Sequence, residues 1–233
     1  RIFKKINFTK LKLNFNPYCS EEFFVPYNKE KLSKKDGELH IVQASSIGSV
    51  NPNVSSFLFD YLIKLTKEKI HVHQYTQPNT LTNEEIMNSL KKVYGNQINP
   101  EYFHFHEPLN PKELVEEISK YDFGIFVPGP HTYKDDIQLE AAMSTGNKLA
   151  SYLEAGIPYI YPPELKFIDK FSKKYGIDFC FKNPKEIKRL KNLDYKEIEV
   201  RVDKARRDFT MKANFHRLEK FVHDVVKKKK TKT

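Results

Sequence analysis

The chain has 233 residues, 39% of them hydrophobic and 30% charged, with a net charge of +10. That balance excludes wholesale disorder. No run approaches the roughly 20 apolar residues of a membrane span, and no signal-peptide core follows the basic start. The charge favours anionic partners: phosphates, nucleic acid or an acidic membrane surface. Cys19 and Cys180 stand far apart with no second pair beside them, so they are expected to be reduced thiols of a cytoplasmic protein and not zinc ligands. The sequence starts at Arg1 and not at Met, from which a piece of a longer chain is expected.

Residues 1–38 carry no long periodic pattern and are expected as a linker or interdomain remnant, with Lys29 to Gly37 its most polar part. From His40 the pattern becomes regular. His40 to Ala44 is a short β-type run that ends in a small-residue loop. Val54, Phe57, Leu58, Tyr61, Leu62 and Leu65 then recur at helical spacing. His71 to Tyr75 is the next strand. Thr82 and Glu85 form a capping-box pattern ahead of Ile86, Leu90 and Val93. Tyr102 to His106 alternates as a strand does, and Asn110, Pro111 and Glu113 supply the start of a helix. Phe123 to Val127 is a continuous apolar run, as expected of a buried central parallel strand. Strands are also expected at Pro158 to Tyr161 and Ile177 to Phe181. Asn183 to Glu186 repeats the helix-start grammar, and a last long helix is expected from about Tyr195 to Val226. Lys227 to Lys230 and Lys232 read as a solvated tail over 227–233. Strands alternating with helices at this spacing predict an α/β domain over 39–226, a doubly wound parallel sheet covered on both faces.

In such a sheet, ligands bind where loops and helix starts converge at the carboxyl ends of the strands. Three loops there carry candidate chemistry. Residues 45–53 come after the first strand, with Gly48 allowing tight backbone and Ser45, Ser46 and Ser49 offering hydroxyls beside a helix start suited to phosphate. Read on residues alone, the same stretch is more simply a small-residue turn with Asn53 as a helix cap. Residues 128–136 place His131, a donor to phosphate or sugar hydroxyl, behind two prolines and a glycine. Asp135 and Asp136 are adjacent and so point apart, and no metal site is expected. Residues 146–159 start a helix near Asn147 with Lys148 in its first turn, where anions are usually preferred. A bound anion such as a diphosphate offsets that cation. The helix stops at Gly156 before the next strand.

Asn147-Lys-Leu-Ala-Ser-Tyr-Leu-Glu-Ala-Gly-Ile-Pro158 resembles the "NKLFEYLAAGLPV" segment of the C-terminal, donor-binding domain of GT-B-type glycosyltransferases. In the same order, His104 to Leu109 resembles the "hFhG-x-V" strand and loop, Glu113-Leu114 the "eEL" helix start, and Tyr121 to Ile125 the "aDiGi" strand. Ala205 to Met211, with Arg217-Leu218, resembles "AREEFTMEKHIERL". The resemblance runs from about residue 40 to 226, and Asn16 to Lys35 fits the interdomain crossing.

The resemblance implies a Rossmann-like half of a GT-B fold that binds a nucleoside-diphosphate sugar as donor substrate, with no other cofactor. It implies diphosphate contacts from Ser46, Gly48, Ser49, His131, Asn147 and Lys148. Pro108, Leu109 and Asn110 would line the base. The family's ribose carboxylate falls at Ser151, with Glu154, almost one turn on, as a substitute. The sequence departs from the family in that serine and in having no cation from Ser49 to Ser56. Glu140 stands eight positions before Lys148, so the Glu-x7-Glu signature of many retaining members is missing. The expected activity is sugar transfer to a glycan, lipid or protein acceptor, with an N-terminal acceptor-binding domain as partner. An anionic membrane surface is a second candidate partner, for a protein working in the cytoplasm or peripherally at the membrane. The alternative is a degenerate, non-catalytic nucleotide- or partner-binding domain. Specific nucleic-acid binding is not expected, because no RNP-type or helix-turn-helix pattern is present.

Overall fold

The computed structural model describes residues 11–27, 30–44, 52–75, 82–127 and 146–230. Six strands make one sheet: β1 His40–Ala44, β2 His71–Tyr75, β3 Phe103–His106, β4 Phe123–Ile125, β5 Tyr159–Tyr161 and β6 Phe179–Cys180. Every pairing is parallel, with His40 opposite His71, His73 opposite His104, Val42 opposite Gly124 and Ile160 opposite Phe179. The strand order β3-β2-β1-β4-β5-β6 is the Rossmann order, whose direction of winding reverses between β1 and β4.

Seven helices of eight or more residues flank the sheet among the described residues: α1 Pro52–Lys67, α2 Asn83–Tyr94, α3 Pro111–Ile118, α4 Gly146–Glu154, α5 Lys166–Tyr175, α6 Tyr195–Asp208 and α7 Met211–Lys230. Side chains alternate across a strand, so one face presents Ile41, Val72, Phe103, Phe123, Ile125 and Ile160. These pack against Phe59, Leu62, Ile86 and Leu90 of α1 and α2, and against Ile187 of a 3₁₀ segment over Pro184–Asn192. The other face presents Val42, Ala44, Tyr75, Tyr159 and Tyr161 to Val115, Leu149, Leu153, Ile168 and Val202 of α3 to α6. β4 and β5 read as apolar runs because both of their faces are covered.

The helix-start signals act as their chemistry requires. Thr82 Oγ1 accepts from the Glu85 amide (3.2 Å), and the Glu85 carboxylate accepts from the Thr82 amide (2.8 Å), closing a capping box. Asn110 Oδ1 accepts from the Glu113 amide (3.0 Å) with Pro111 in the first turn. Asn183 accepts from the Lys185 amide (3.0 Å), but the helix it opens is 3₁₀ and not α. On α2, Val93 is exposed and Tyr94 is buried in its place.

One expectation is corrected. The last helix is two helices, broken at Phe209 and Thr210. There Cys19 inserts as a one-residue parallel bridge: its amide donates to the Phe209 carbonyl (3.0 Å), and its carbonyl accepts from the Met211 amide (2.9 Å). Thr210 Oγ1 then accepts from the Ala213 amide (3.0 Å) and caps α7, which stays helical to Lys230, into the stretch read as a solvated tail. Residues 30–37 are docked on the domain. Lys31 is buried, its ammonium donating to the Ser119 (2.7 Å) and Tyr121 (2.9 Å) carbonyls, and Ser33–Asp36 forms a short helical turn. The stretch from Asn14 to Tyr27 also lies on the domain. Arg217 donates to the Asn14 carbonyl (3.1 Å), and Tyr18 packs on Phe209. The buried Arg206 donates to the Val25 carbonyl (2.9 Å) while stacking over Phe24 and Tyr27. Both cysteines are free thiols, Cys19 fully buried and Cys180 half-buried. Among the described residues no helix is long and apolar enough to cross a membrane.

Candidate functional site

The winding reverses between β1 and β4, so the carboxyl ends of these neighbours, at Ala44 and Ile125, mark the crevice of the fold. α4 ends just before β5 begins at the amino edge of the sheet, so it runs antiparallel to the strands and its first turn lies toward the carboxyl edge. Tyr152 fixes how α4 sits. Its fully buried ring lies over Gly124, where an added Cβ would come within 2.5 Å of the ring carbons. The hydroxyl donates to the carbonyls of Ile125 (3.0 Å) and Val42 (3.2 Å), tying α4 to both strands of the switch point. Glycine at 124 is required by this approach and not by its backbone angle.

One turn before Tyr152 stands Lys148, on the same helix face. The residue is half-buried. Its Nζ lies 5.7 Å from the centre of the Phe126 ring, just beyond β4. Burial pushes its pKa down to about 8. A partly desolvated ammonium in the first turn of a helix meets two costs, lost hydration and the positive end of the dipole, and an anion there relieves both. Asn147 beside it is exposed. Ser151, partly buried, lies one turn on, with Oγ 3.4 Å from the Asn147 carbonyl.

The Pro108–Asn110 loop leaves β3 at the same edge and leads into α3, which packs against α4. Pro108 and Leu109 are half-buried, with Leu109 against the core, while the Asn110 oxygen is spent on capping. These loop residues and the first turn of α4 therefore share one edge. Glu154 does not join them. It ends α4, about 9 Å of helix rise beyond Lys148, and its buried carboxylate accepts from the Ser20 amide (2.8 Å). Burial holds its pKa up against the pull of that amide. Ser46, Gly48, Ser49 and His131 lie outside the described residues.

A set of side chains not singled out from the sequence begins at the opposite edge and runs along the strands. His40, His71, His73, His104 and His106 occupy one face of β1, β2 and β3 as a connected stack. The signal was present as His-x-His in two successive strands, since that spacing sends both rings to one face.

Residues 64–216 match a protein family described as glucosyltransferase 3-like, C-terminal domain. A search of curated proteins finds no match. Among solved structures, the chain is similar to an alpha,alpha-trehalose 6-phosphate synthase from Burkholderia multivorans, with a TM-score of 0.51 at 7% identity, over 85% of this chain and 45% of that one. It is similar to the trehalose-6-phosphate synthase OtsA, with a TM-score of 0.51 at 13% identity, over 91% and 50%. A Thermobaculum terrenum O-GlcNAc transferase mutant gives a TM-score of 0.52 at 11% identity, over 88% and 37%. At such identities the likeness shows the fold, and the chain spans half or less of each of these structures.

Proposed function

The chain belongs to the glucosyltransferase 3-like C-terminal domain family, of the GT-B type, and from that membership we propose that it holds a nucleoside-diphosphate sugar at the β1/β4 switch point. The observation that carries this reading is Lys148, a half-buried lysine with a lowered pKa in the first turn of α4, at the edge where such folds bind ligands. The donor's diphosphate would accept from Lys148 and from the amides that open α4, with Asn147 beside them. Ser151 would meet the ribose, and Pro108, Leu109 and Asn110 the base, with Ser46, Gly48, Ser49 and His131 completing the diphosphate side. As the glycosidic bond to the leaving phosphate breaks, negative charge grows on that phosphate. A fixed ammonium and helix end stabilise it without reorganising. Transfer to a glycan, lipid or protein acceptor would require an N-terminal acceptor-binding domain.

Calorimetric titration with UDP, GDP, CDP, ADP and TDP tests this. One nucleotide is expected to saturate, and Lys148→Ala to weaken it at least tenfold, about 1.4 kcal/mol, while Lys185→Ala at an exposed position leaves it unchanged. Equal losses from the two variants would show that bulk charge is responsible and would sink the site. A second reading, nucleotide binding without transfer, is favoured by Ser151 at the ribose position and by Glu154 being engaged by Ser20. Saturable binding with no sugar transfer when the N-terminal domain is supplied would select it.

A further inference from the structure

The histidine stack meets two carboxylates at the amino-terminal edge of the sheet. His40 and His71 are the first residues of β1 and β2 and lie opposite each other in register. Their rings stack at 4.3 Å with 4° between planes, and both Nε2 atoms face Asp36. Gly37, in the left-handed region at φ 75°, turns the chain between Asp36 and Glu38. The Glu38 amide donates to Asp36 Oδ1 (2.8 Å), which fixes that carboxylate. Asp36 Oδ2 then lies 2.9 Å from His40 Nε2 and 4.0 Å from His71 Nε2. Glu38 Oε2 lies 2.9 Å from His71 Nε2.

We propose that Asp36, His40 and His71 form a site for one divalent transition-metal ion of the zinc class, with Glu38 positioned to supply a fourth ligand or to hold a metal-bound water. The ligand atoms of the three residues all lie within 4.8 Å of one another. The 2.9 and 4.0 Å separations bracket the roughly 3.3 Å edge of a tetrahedron with metal–ligand bonds of about 2.0–2.1 Å. Two imidazoles with carboxylate suit zinc over magnesium or calcium, which take oxygen ligands. The imidazoles are largely buried and the Asp36 carboxylate is 42% exposed, which leaves an entry path on the acidic side.

The strongest support is what stands behind the two imidazoles. A metal-bound histidine must present a bare Nε2 and donate its Nδ1–H to something fixed. His40 Nδ1 lies 2.9 Å from His73 Nε2, and His71 Nδ1 lies 2.9 Å from His104 Nε2. His73 Nδ1 in turn lies 2.8 Å from His106 Nε2. A row of imidazoles can carry its hydrogens in either direction. In one polarity each Nε2–H donates toward the carboxylates. In the other, every Nδ1–H donates to the next Nε2, and the two outermost Nε2 lone pairs are left for a metal. Binding then reverses the row and orphans no nitrogen between His40 and His106. Carboxylate pairing alone uses only the first polarity and gives no reason for second imidazoles behind both rings.

The site stands at the start of β1, about 13 Å from its carboxyl end, so it is separate from the proposed donor crevice and each can fail without the other. The test titrates Zn²⁺ into the chelator-treated full chain against a chromophoric chelator, with Co²⁺ absorption as a reporter of coordination. One equivalent is expected to bind, with a Co²⁺ spectrum of tetrahedral intensity. His71→Ala is expected to weaken binding at least tenfold. Asp36→Asn, at a partly exposed position where folding is preserved, is expected to do the same. Alanine at His216 and His223, which are exposed on α7, should change nothing. Failure of the wild-type chain to bind one equivalent would overturn the proposal, as would unchanged affinity in Asp36→Asn.

Discussion

Burial pushes the pKa of two lysines in this domain down to about 8, one toward each end of the sheet. Lys31 achieves this against the pull of the neighbouring Asp122 carboxylate, and its ammonium donates to two backbone carbonyls that close the turn before β4. It is a clasp: fixed dipoles answer its charge and it ties residues 30–37 to the domain. Lys148 stands over an aromatic ring in the first turn of α4, where the helix dipole opposes it. Burial and a depressed pKa therefore do not separate a structural lysine from a binding one. What differs is position: backbone carbonyls close on Lys31, while Lys148 stands at a helix start on the carboxyl edge.

The largest effect should come from breaking the Lys148 end through the residue that seats its helix. Gly124→Ala drives a Cβ to 2.5 Å from the Tyr152 ring, which is anchored to two strands and cannot yield cheaply. Overpacking of this kind costs about 1–3 kcal/mol or more, so melting temperature should fall by several degrees. Because α4 must shift, nucleotide affinity should fall with it. Melting by circular dichroism and calorimetry on one preparation check both, and retained affinity would show that Lys148 is not held through Tyr152.

Lys31→Met should separate the two ends. It strands the Ser119 and Tyr121 carbonyls in a buried place, at a cost of roughly 1–3 kcal/mol, yet touches nothing at the carboxyl edge. Denaturant unfolding should show that loss with nucleotide affinity unchanged. A matching loss of affinity would mean that the two lysines do not play different parts.

The contrast between these ends was only half legible in the sequence. Lys148 could be placed because the Asn147 to Gly156 helix lies between two apolar strands and its charge is wrong for a first turn. The alternation of strands and helices was legible for a similar reason: covered parallel strands need apolar runs, and Thr82 with Glu85 or Asn110 with Glu113 cap locally, within four residues. Lys31 was not legible, because a polar stretch looks the same whether it docks or floats, and its partners come from 88 and 90 residues away. The break between α6 and α7 was hidden likewise. The apolar period runs through it, and the interruption is made by Cys19 from the far end of the chain. Glu154 looked available beside Ser151 until the Ser20 amide took its carboxylate.

The smallest and sharpest effect is on pH dependence, where the binding reading and the stability reading have opposite signs. In the unliganded domain Lys148 is charged below pH about 8 and neutral above it. An anionic diphosphate favours the ammonium, so its pKa rises on binding. Nucleotide affinity should be full below pH 8 and fall as pH passes above it, by at most about tenfold per unit. Stability runs the other way. The folded pKa lies below the value of about 10.4 expected of an unfolded lysine, so between these values the unfolded chain binds more protons. Stability from this residue, and from Lys31, therefore rises with pH across that window. Titrations at about pH 7, 8 and 9 beside unfolding curves at the same pH check both. Affinity should drop while the contribution to stability lost in Lys31→Met and Lys148→Ala grows. A pH-independent affinity in the wild type, or the same decline in Lys148→Ala, would remove Lys148 from the diphosphate.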